Sequence, residues 1–170
     1  MSIQPIPSAS YLPSPLGWLR LKANAIGLTH LDFVEECGDE SSPNDYTELA
    51  AKELSAYFAG ELEVFTVPLC LQGTHFQLNV WEELQKIPFG TQVSYETIAR
   101  RLGDVKVIRA AATANGRNPV PIIVPCHRVV GKDGSLTGYS GGLQKKKWLL
   151  EWEQRTFQPS LLEVFDQMSY

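Results

Sequence analysis

Apolar and polar positions alternate twice near the start of the chain. Trp18-Leu19-Arg20-Leu21-Lys22-Ala23 alternates once, and Leu28, Leu31 and Phe33 recur through residues 27–34. A period of two marks a strand with one buried face. Residues 24–27 can turn the chain between the two runs, so the spacing predicts an antiparallel hairpin. Residues 1–15 hold Pro5, Pro7, Pro13 and Pro15 among serines and are expected to form a loose arm. Residues 35–44 are acidic and small, an exposed loop. The period then lengthens. Leu49, Leu54, Tyr57 and Phe58 have helical spacing over 46–58, and Gly60 stands where a C-terminal cap falls. Residues 64–69 read as one more strand. Residues 1–72 are therefore expected to form a small α/β domain.

The pattern changes again after residue 73. Phe76, Val80, Trp81 and Leu84 make a buried helical stripe that ends at Ile87-Pro88-Phe89-Gly90. Ser94 can cap a helix over 95–102, with Tyr95, Ile98, Ala99 and Leu102 as its apolar stripe. Gly103 breaks it, Asp104 and Val105 allow a short turn, and a second helix is predicted over 106–115. Two short helices about a glycine turn suit a helix-turn-helix. In the second helix Ile108, Ala111, Ala112 and Asn115 are expected to face inward, leaving Arg109, Ala110, Thr113 and Ala114 outward. A helix that reads the major groove projects several hydrogen-bonding side chains to base edges. This face is almost bare, so its backbone can approach a narrower groove while Arg109 protrudes. Two roles for Arg109 stay open: insertion into the base stack, or a phosphate contact.

Net charge is −4, but the charge is segregated. Residues 1–85 carry three basic and twelve acidic side chains, residues 86–150 eleven and three, and residues 151–170 one and four. A basic middle between acidic flanks points to a surface for a polyanion. No apolar run approaches the roughly 18 residues of a membrane span, and the N-terminus lacks a signal-peptide pattern. Cys37, Cys70 and Cys126 are odd in number and widely spaced, which favours a reducing compartment over a disulfide framework. Cys37, Cys70, His30 and His75 match no compact zinc-ligand spacing. We expect a cytoplasmic monomer with no membrane partner.

The candidate chemistry gathers at Pro119-Val120-Pro121-Ile122-Ile123-Val124-Pro125-Cys126-His127-Arg128-Val129-Val130. Three prolines within 119–125 predict a stiff, extended leader that delivers one cysteine. Rigidity matters, because misplacing a nucleophile by about 1 Å can cost roughly a hundredfold in rate. A thiol of ordinary pKa, about 8.5, needs a base or positive potential to react as thiolate. Neighbours on an extended chain point to opposite faces, so a water relay between Cys126 and His127 is expected rather than direct contact. Asn118 before Pro119 reads as a turn, and Arg128 as a structural or phosphate partner. Gly131-Lys132-Asp133-Gly134 is a turn that would pair Val129–Val130 with residues 135–137 as a wing-like hairpin. A helix is predicted over 145–153, on which Glu153 reads by spacing as a surface carboxylate.

Pro125-Cys126-His127-Arg128-Val129, with Asn118-Pro119 upstream and Gly138-Tyr139-Ser140-Gly141-Gly142 downstream, resembles the signature of the 6-O-alkylguanine-DNA alkyltransferases. The likeness runs from about residue 76 to 153. It implies an α+β (α/β) protein: a ribonuclease H-like N-terminal domain over 1–72, a winged helix-turn-helix-like catalytic domain over 73–155, and a tail over 156–170. It implies Cys126 as alkyl acceptor, His127 and Glu153 as its base and acid partner, Tyr95 at the guanine edge and Asn118 tying the active-site turn. Arg109, Ala110, Thr113, Ala114 and Arg117 would meet duplex DNA, with Arg109 filling the place of the extruded nucleotide. Arg128, Val129, Tyr139, Ser140 and Gly141 would also bind substrate or DNA, with Tyr139 and Ser140 as one wall of the base pocket. The reaction implied is a single, stoichiometric transfer from the 6-oxygen of guanine, or more weakly from the 4-oxygen of thymine, with no metal or other cofactor. The residues alone leave two alternatives: a cysteine hydrolase using Cys126, His127 and Glu153, or a non-enzymatic lesion sensor using only the helix-turn-helix.

Overall fold

A computed structural model describes residues 8–39 and 41–157. The predicted hairpin is there: β2 (Gly17–Ala23) and β3 (Leu28–Val34) pair antiparallel, with Leu21 opposite Leu31 and Leu19 opposite Phe33. Leu19, Leu21 and Ala23 are fully buried, the inward half of the alternation. The loose arm is corrected from residue 8 onward. Ser8–Ser14 forms β1, paired with β2 along its length, and Pro13 stands opposite Trp18. β1 is an edge strand, where a residue without an N–H is tolerated. Residues 1–7 of that arm, and residues 158–170 of the expected tail, lie outside the described residues.

Helix α1 (Asp45–Phe58) starts at a reciprocal cap. The Asn44 side chain accepts from the Tyr46 and Thr47 N–H groups, and the Thr47 hydroxyl accepts from Asn44 N–H. Ala50, Leu54 and Tyr57 on its inner face are fully buried. The strand expected over 64–69 does not form. Pro68 has no N–H to give, and the Glu53 carboxylate takes both the Thr66 N–H and its hydroxyl at 2.7 Å. The segment instead straps the sheet: Leu28 N–H donates to the Pro68 carbonyl, and Cys70 N–H to the Leu28 carbonyl, both at 2.8 Å.

Helix α2 (His75–Gln85) has a Thr74–Gln77 capping box and buries Val80, Trp81 and Leu84 as predicted. Ser94 caps α3 (Tyr95–Arg101). A 3-10 turn at Val105–Val107, capped by Asp104, then feeds α4 (Ile108–Gly116), which starts two residues later than expected. The wing-like hairpin is corrected. β5 (Val129–Val130) pairs in parallel with β4 (Val93–Ser94), because both of its valines are buried and need an interior partner. The polar residues after it close only a turn, through Gly131 N–H to the Ser135 carbonyl at 2.8 Å.

Helix α5 (Leu143–Thr156) holds the halves together. Its Trp148 ring lies 6.0 Å from Phe58, and its Trp152 indole N–H donates to the Tyr57 carbonyl. β3 also reaches across, Leu31 N–H donating to the Pro119 carbonyl at 2.9 Å. One continuous apolar core therefore runs from Leu19 and Leu54 to Val124 and Leu149. No helix among the described residues is long and apolar enough to cross a membrane.

The strap makes Gly27 a critical position. A Cβ there would stand 2.7 Å from the Pro68 carbonyl oxygen, and backbone cannot swing away. Gly27→Ala is expected to lower stability by about 1–3 kcal/mol. Gly116→Ala, which meets nothing within 4 Å, should be neutral or stabilising. Urea unfolding of both variants checks the contrast.

Candidate active site

The approach to the cysteine is a knot of short turns, not the extended leader expected. Pro121 and Val124 bridge each other, and Ile122 between them has φ 73°, an outlier for a β-branched residue. Asn118 ties the turn. Its Oδ1 accepts from Val120 N–H at 2.9 Å, and its Nδ2 donates to the Val124 carbonyl at 2.7 Å. The prolines stiffen a bend rather than a strand, and the Asn118 side chain supplies the bonds that a sheet neighbour would otherwise give. Cys126, His127 and Arg128 then form a single 3-10 turn. Asn115 of α4 donates to the Cys126 carbonyl at 3.4 Å, so the helix-turn-helix is bonded directly to this turn.

Behind the cysteine lies a buried ionic cluster. His127 is fully buried and its Nε2 is 2.7 Å from Glu153 Oε1. Glu153, expected on the surface by spacing, is 1% exposed. Arg128 donates to both carboxylate oxygens at 2.9 Å and to the Ile87 carbonyl at 2.6 Å. Tyr57 O–H and Gly90 N–H complete the set at 2.8 and 3.2 Å. Burial alone would raise the Glu153 carboxyl, but the bonds and charges of His127 and Arg128 outweigh it and hold the carboxyl well below its usual range. Burial also lowers the His127 pKa, against the pull of Glu153. Near neutrality the pair is a carboxylate and a neutral imidazole. With Nε2–H given to Glu153, Nδ1 is an unprotonated acceptor, and it has no partner among the described residues.

The thiol itself is 3% exposed. Burial pushes its pKa up to about 11, only partly opposed by the Asn118 amide and the Lys146 charge. Lys146 is the residue that sequence reading missed. Within Lys145-Lys146-Lys147 it resembles a solvated basic run, yet it is fully buried on the inner face of α5, and burial lowers its pKa to about 8. Its ammonium donates to the Thr137 carbonyl at 2.9 Å and to the Tyr95 hydroxyl at 3.3 Å. The Leu149–Leu150–Glu153 spacing, continued back one turn, was the available signal. Tyr95 in turn donates to the Thr137 carbonyl at 3.1 Å. Tyr139 packs 5.9 Å from the Phe33 ring and is buried, whereas Ser140 beside it is exposed. A Cβ on Gly141 would strike Phe33 at 2.7 Å, so this loop lies directly on β3.

The outer face of α4 consists of Arg109, Ala110 and Thr113, with Arg117 just past its end, all exposed. Ala114, expected on that face, is buried and its carbonyl accepts the Trp81 indole N–H at 2.9 Å. Ala114 lies one turn after Ala111, on the side of α4 that packs against α2. Arg128 is likewise not free for DNA, since its guanidinium is spent on Glu153 and Ile87. The Val129 side chain is fully buried in β5 rather than on the DNA-facing surface. Arg101, Lys106, Arg109 and Arg117 are exposed cations without a carboxylate partner among the described residues, and all four lie on or beside the helix-turn-helix. Of the remaining cysteines, Cys37 is exposed and Cys70 accepts from the Asn24 amide at 3.3 Å. A groove of about 530 Å³ lies beside Pro125 and Arg128, but Cys126 does not line it.

Residues 9–71 match the ribonuclease-like domain of 6-O-methylguanine DNA methyltransferase, and residues 75–155 match its DNA binding domain. A methylated-DNA–protein-cysteine methyltransferase of Methanosarcina barkeri is 44% identical over 149 residues, covering 84% of this chain and 94% of the relative. That of Mycolicibacterium paratuberculosis is 45% identical, covering 90% and 95%. The crystal structure of Mycobacterium tuberculosis O6-methylguanine methyltransferase superimposes with a TM-score of 0.82 at 42% identity, covering 95% of this chain and all of the other. A structure of the M. tuberculosis protein in complex with DNA gives 0.79 at 44% identity, covering 88% and 94%.

Glu153→Gln leaves the Arg128 charge buried without its counter-ion and is expected to cost about 3–5 kcal/mol. The carboxyl pKa is depressed in the folded state, so its contribution is complete above the unfolded value, about 4.3, and is lost as pH falls toward the folded one. The gap between parent and variant in denaturant unfolding should therefore narrow below about pH 4.

Proposed function

Because the chain belongs to the 6-O-methylguanine DNA methyltransferase family, we propose that Cys126 is the sulfur to which it transfers the alkyl group from guanine in DNA. The chain is a DNA-repair enzyme that works by direct reversal of damage. Its partner is DNA. The substrate is duplex carrying guanine alkylated at the 6-oxygen, with thymine alkylated at the 4-oxygen a weaker one, and the protein acts as a monomer. Its cysteines suit a reducing compartment, the cytoplasm.

Arg101, Lys106, Arg109 and Arg117 supply the phosphate attraction, with the strong salt dependence that such contacts carry. The small residues Ala110 and Thr113 let α4 lie close in the minor groove, and Arg109 enters the stack as the damaged nucleotide leaves it. Extrusion costs a few kcal/mol, in the range known for base flipping. The base reaches Cys126 only when the loop over 139–142 gives way, and Gly138 and Gly142, with φ of 53° and 93°, bracket that loop.

The thiol proton passes to His127 Nδ1, through water if the ring does not touch sulfur, and Glu153 balances the imidazolium that forms. The sulfur then attacks the alkyl carbon. A carbon–sulfur bond forms as the carbon–oxygen bond to guanine breaks, and guanine leaves as an anion that takes up a proton. Tyr95 is the proposed donor of that proton, turning from the Thr137 carbonyl, and Lys146, hydrogen-bonded to the phenol, can replace it. The product is a thioether with no carbonyl for water to attack, so each molecule acts once. The observation that carries this reading is the His127 ring, whose Nε2 is committed to Glu153 while Nδ1 is left bare one residue from a buried thiol.

Intact mass after mixing with a methylated-guanine duplex should rise stably by one methylene on Cys126, and Cys126→Ser should show no gain. An unmodified Cys126 alongside restored DNA, or ester turnover, would exclude the reading. Arg109→Ala should slow transfer from duplex far more than transfer from a free alkylated guanine base. Equal rates with parent on duplex would remove the wedge role.

A further inference from the structure

The Glu153 carboxylate receives one bond from far outside the cysteine-bearing half of the chain. Tyr57, on α1 and 96 residues away in sequence, donates its hydroxyl to Glu153 Oε1 at 2.8 Å. That oxygen also takes His127 Nε2 at 2.7 Å and Arg128 Nη2 at 2.9 Å. We infer that Tyr57 is a positioning residue for alkyl transfer, sharing Oε1 with His127 so that the imidazole stays neutral and its Nδ1 stays able to accept the thiol proton. The inference rests on the triad roles proposed above.

Three donors on one carboxylate oxygen compete for its charge. Each takes part of the negative potential that would otherwise fall on the imidazole and favour its protonation. The charged groups acting on His127 are Glu153 and Lys146 from α5 and Arg128 beside it, and Tyr57 acts through Glu153. Arg128 and Lys146 lower the His127 pKa, Glu153 raises it, and Tyr57 sets how much of Glu153 remains available. Tyr57 can serve only as a donor, because burial and the adjacent carboxylate keep its phenol protonated. The ring is held independently of the hydroxyl, with Phe58, Phe65 and Phe89 at 5.2, 5.5 and 5.9 Å. Packing alone would be served by phenylalanine; the hydroxyl has its one hydrogen bond at the carboxylate.

The test is Tyr57→Phe in the full chain, with single-turnover transfer from a methylated-guanine duplex followed across pH. Losing the donor leaves more of the Glu153 charge on His127, so the folded-state His127 pKa rises and its neutral fraction is lost at a higher pH. The acid limb should move up by about 0.5–1 unit, slowing transfer about three- to tenfold at a fixed acidic pH, with the plateau little changed. Phe65→Leu loosens the same ring cluster without touching the carboxylate and should lower the melting midpoint but leave the limb in place. An unshifted limb in Tyr57→Phe, or an equal shift in Phe65→Leu, overturns the inference. If Tyr57→Phe does not fold, 3-fluorotyrosine at position 57, a stronger donor, must move the limb to lower pH, and no movement is again decisive. His127→Gln separates the two readings. If that variant transfers as fast as parent, with the same profile, the triad proposal fails whatever Tyr57 does. If it is slow while Tyr57→Phe is unaltered, only the inference about Tyr57 fails.

Discussion

A carboxylate removed from water is tolerable only when its lone pairs are filled and its charge is met. Glu153 meets both conditions with five hydrogen bonds, and the donors come from three places in the chain: α1, the loop after α2, and the turn of His127 and Arg128 beside the cysteine. Those segments are brought to one point by that requirement. α5 crosses both halves because it carries the acid, and beside it Tyr57 and Phe89 meet edge to face with ring centroids 5.9 Å apart. The same atoms that close the core orient the histidine. Stability and reactivity are thus set by one cluster, which explains why the acidic N-terminal half, with no catalytic set of its own, is packed so tightly against the basic one.

The thiol is protected by the same burial. A pKa near 11 keeps Cys126 protonated in the resting protein, and a protonated, buried sulfur is a poor target for stray alkylating agents and oxidants. A protein that is consumed by its reaction has reason to keep its nucleophile quiet until a base is in place. The device is local: a neutral imidazole, a lysine held near pKa 8, and a turn locked by Asn118. Ile122, in a left-handed conformation that a β-branched residue rarely adopts, suggests that the turn is held by its surroundings rather than by its own preference.

Where local chemistry decides, the sequence was legible. The β2–β3 hairpin followed from alternation, α1 and α2 from their apolar spacing, the start of α3 from its Ser94 cap, and the helix-turn-helix from Gly103 between two apolar stripes. Where a distant partner decides, it was not. β1 looks like a proline-rich arm until β2 is there to pair with it. Residues 64–69 look like a strand until Glu53 claims the Thr66 backbone. Val129 and Val130 look like half a hairpin until β4 offers a buried edge. Ala114 was assigned outward, but it stands three residues after Ala111 on the same side of the helix, and packing against α2 buries both.

The site divides in the same way. Sequence by itself marked the candidate residues: Cys126 and His127 side by side, Asn118 before a proline, a glycine-rich loop at 138–142 and a bare helix face with one protruding arginine. Those are properties of composition and short spacing, and they survive any fold. Only the tertiary structure decided what each residue is for. Arg128 became a buried counter-ion instead of a DNA contact, Lys146 moved from a surface run to the buried side of α5, and Tyr57, part of the apolar stripe of α1, became a hydrogen-bond donor as well. Charge and hydrogen-bonding roles depend on which groups share a water-free space, and that is fixed by packing between segments up to 96 residues apart.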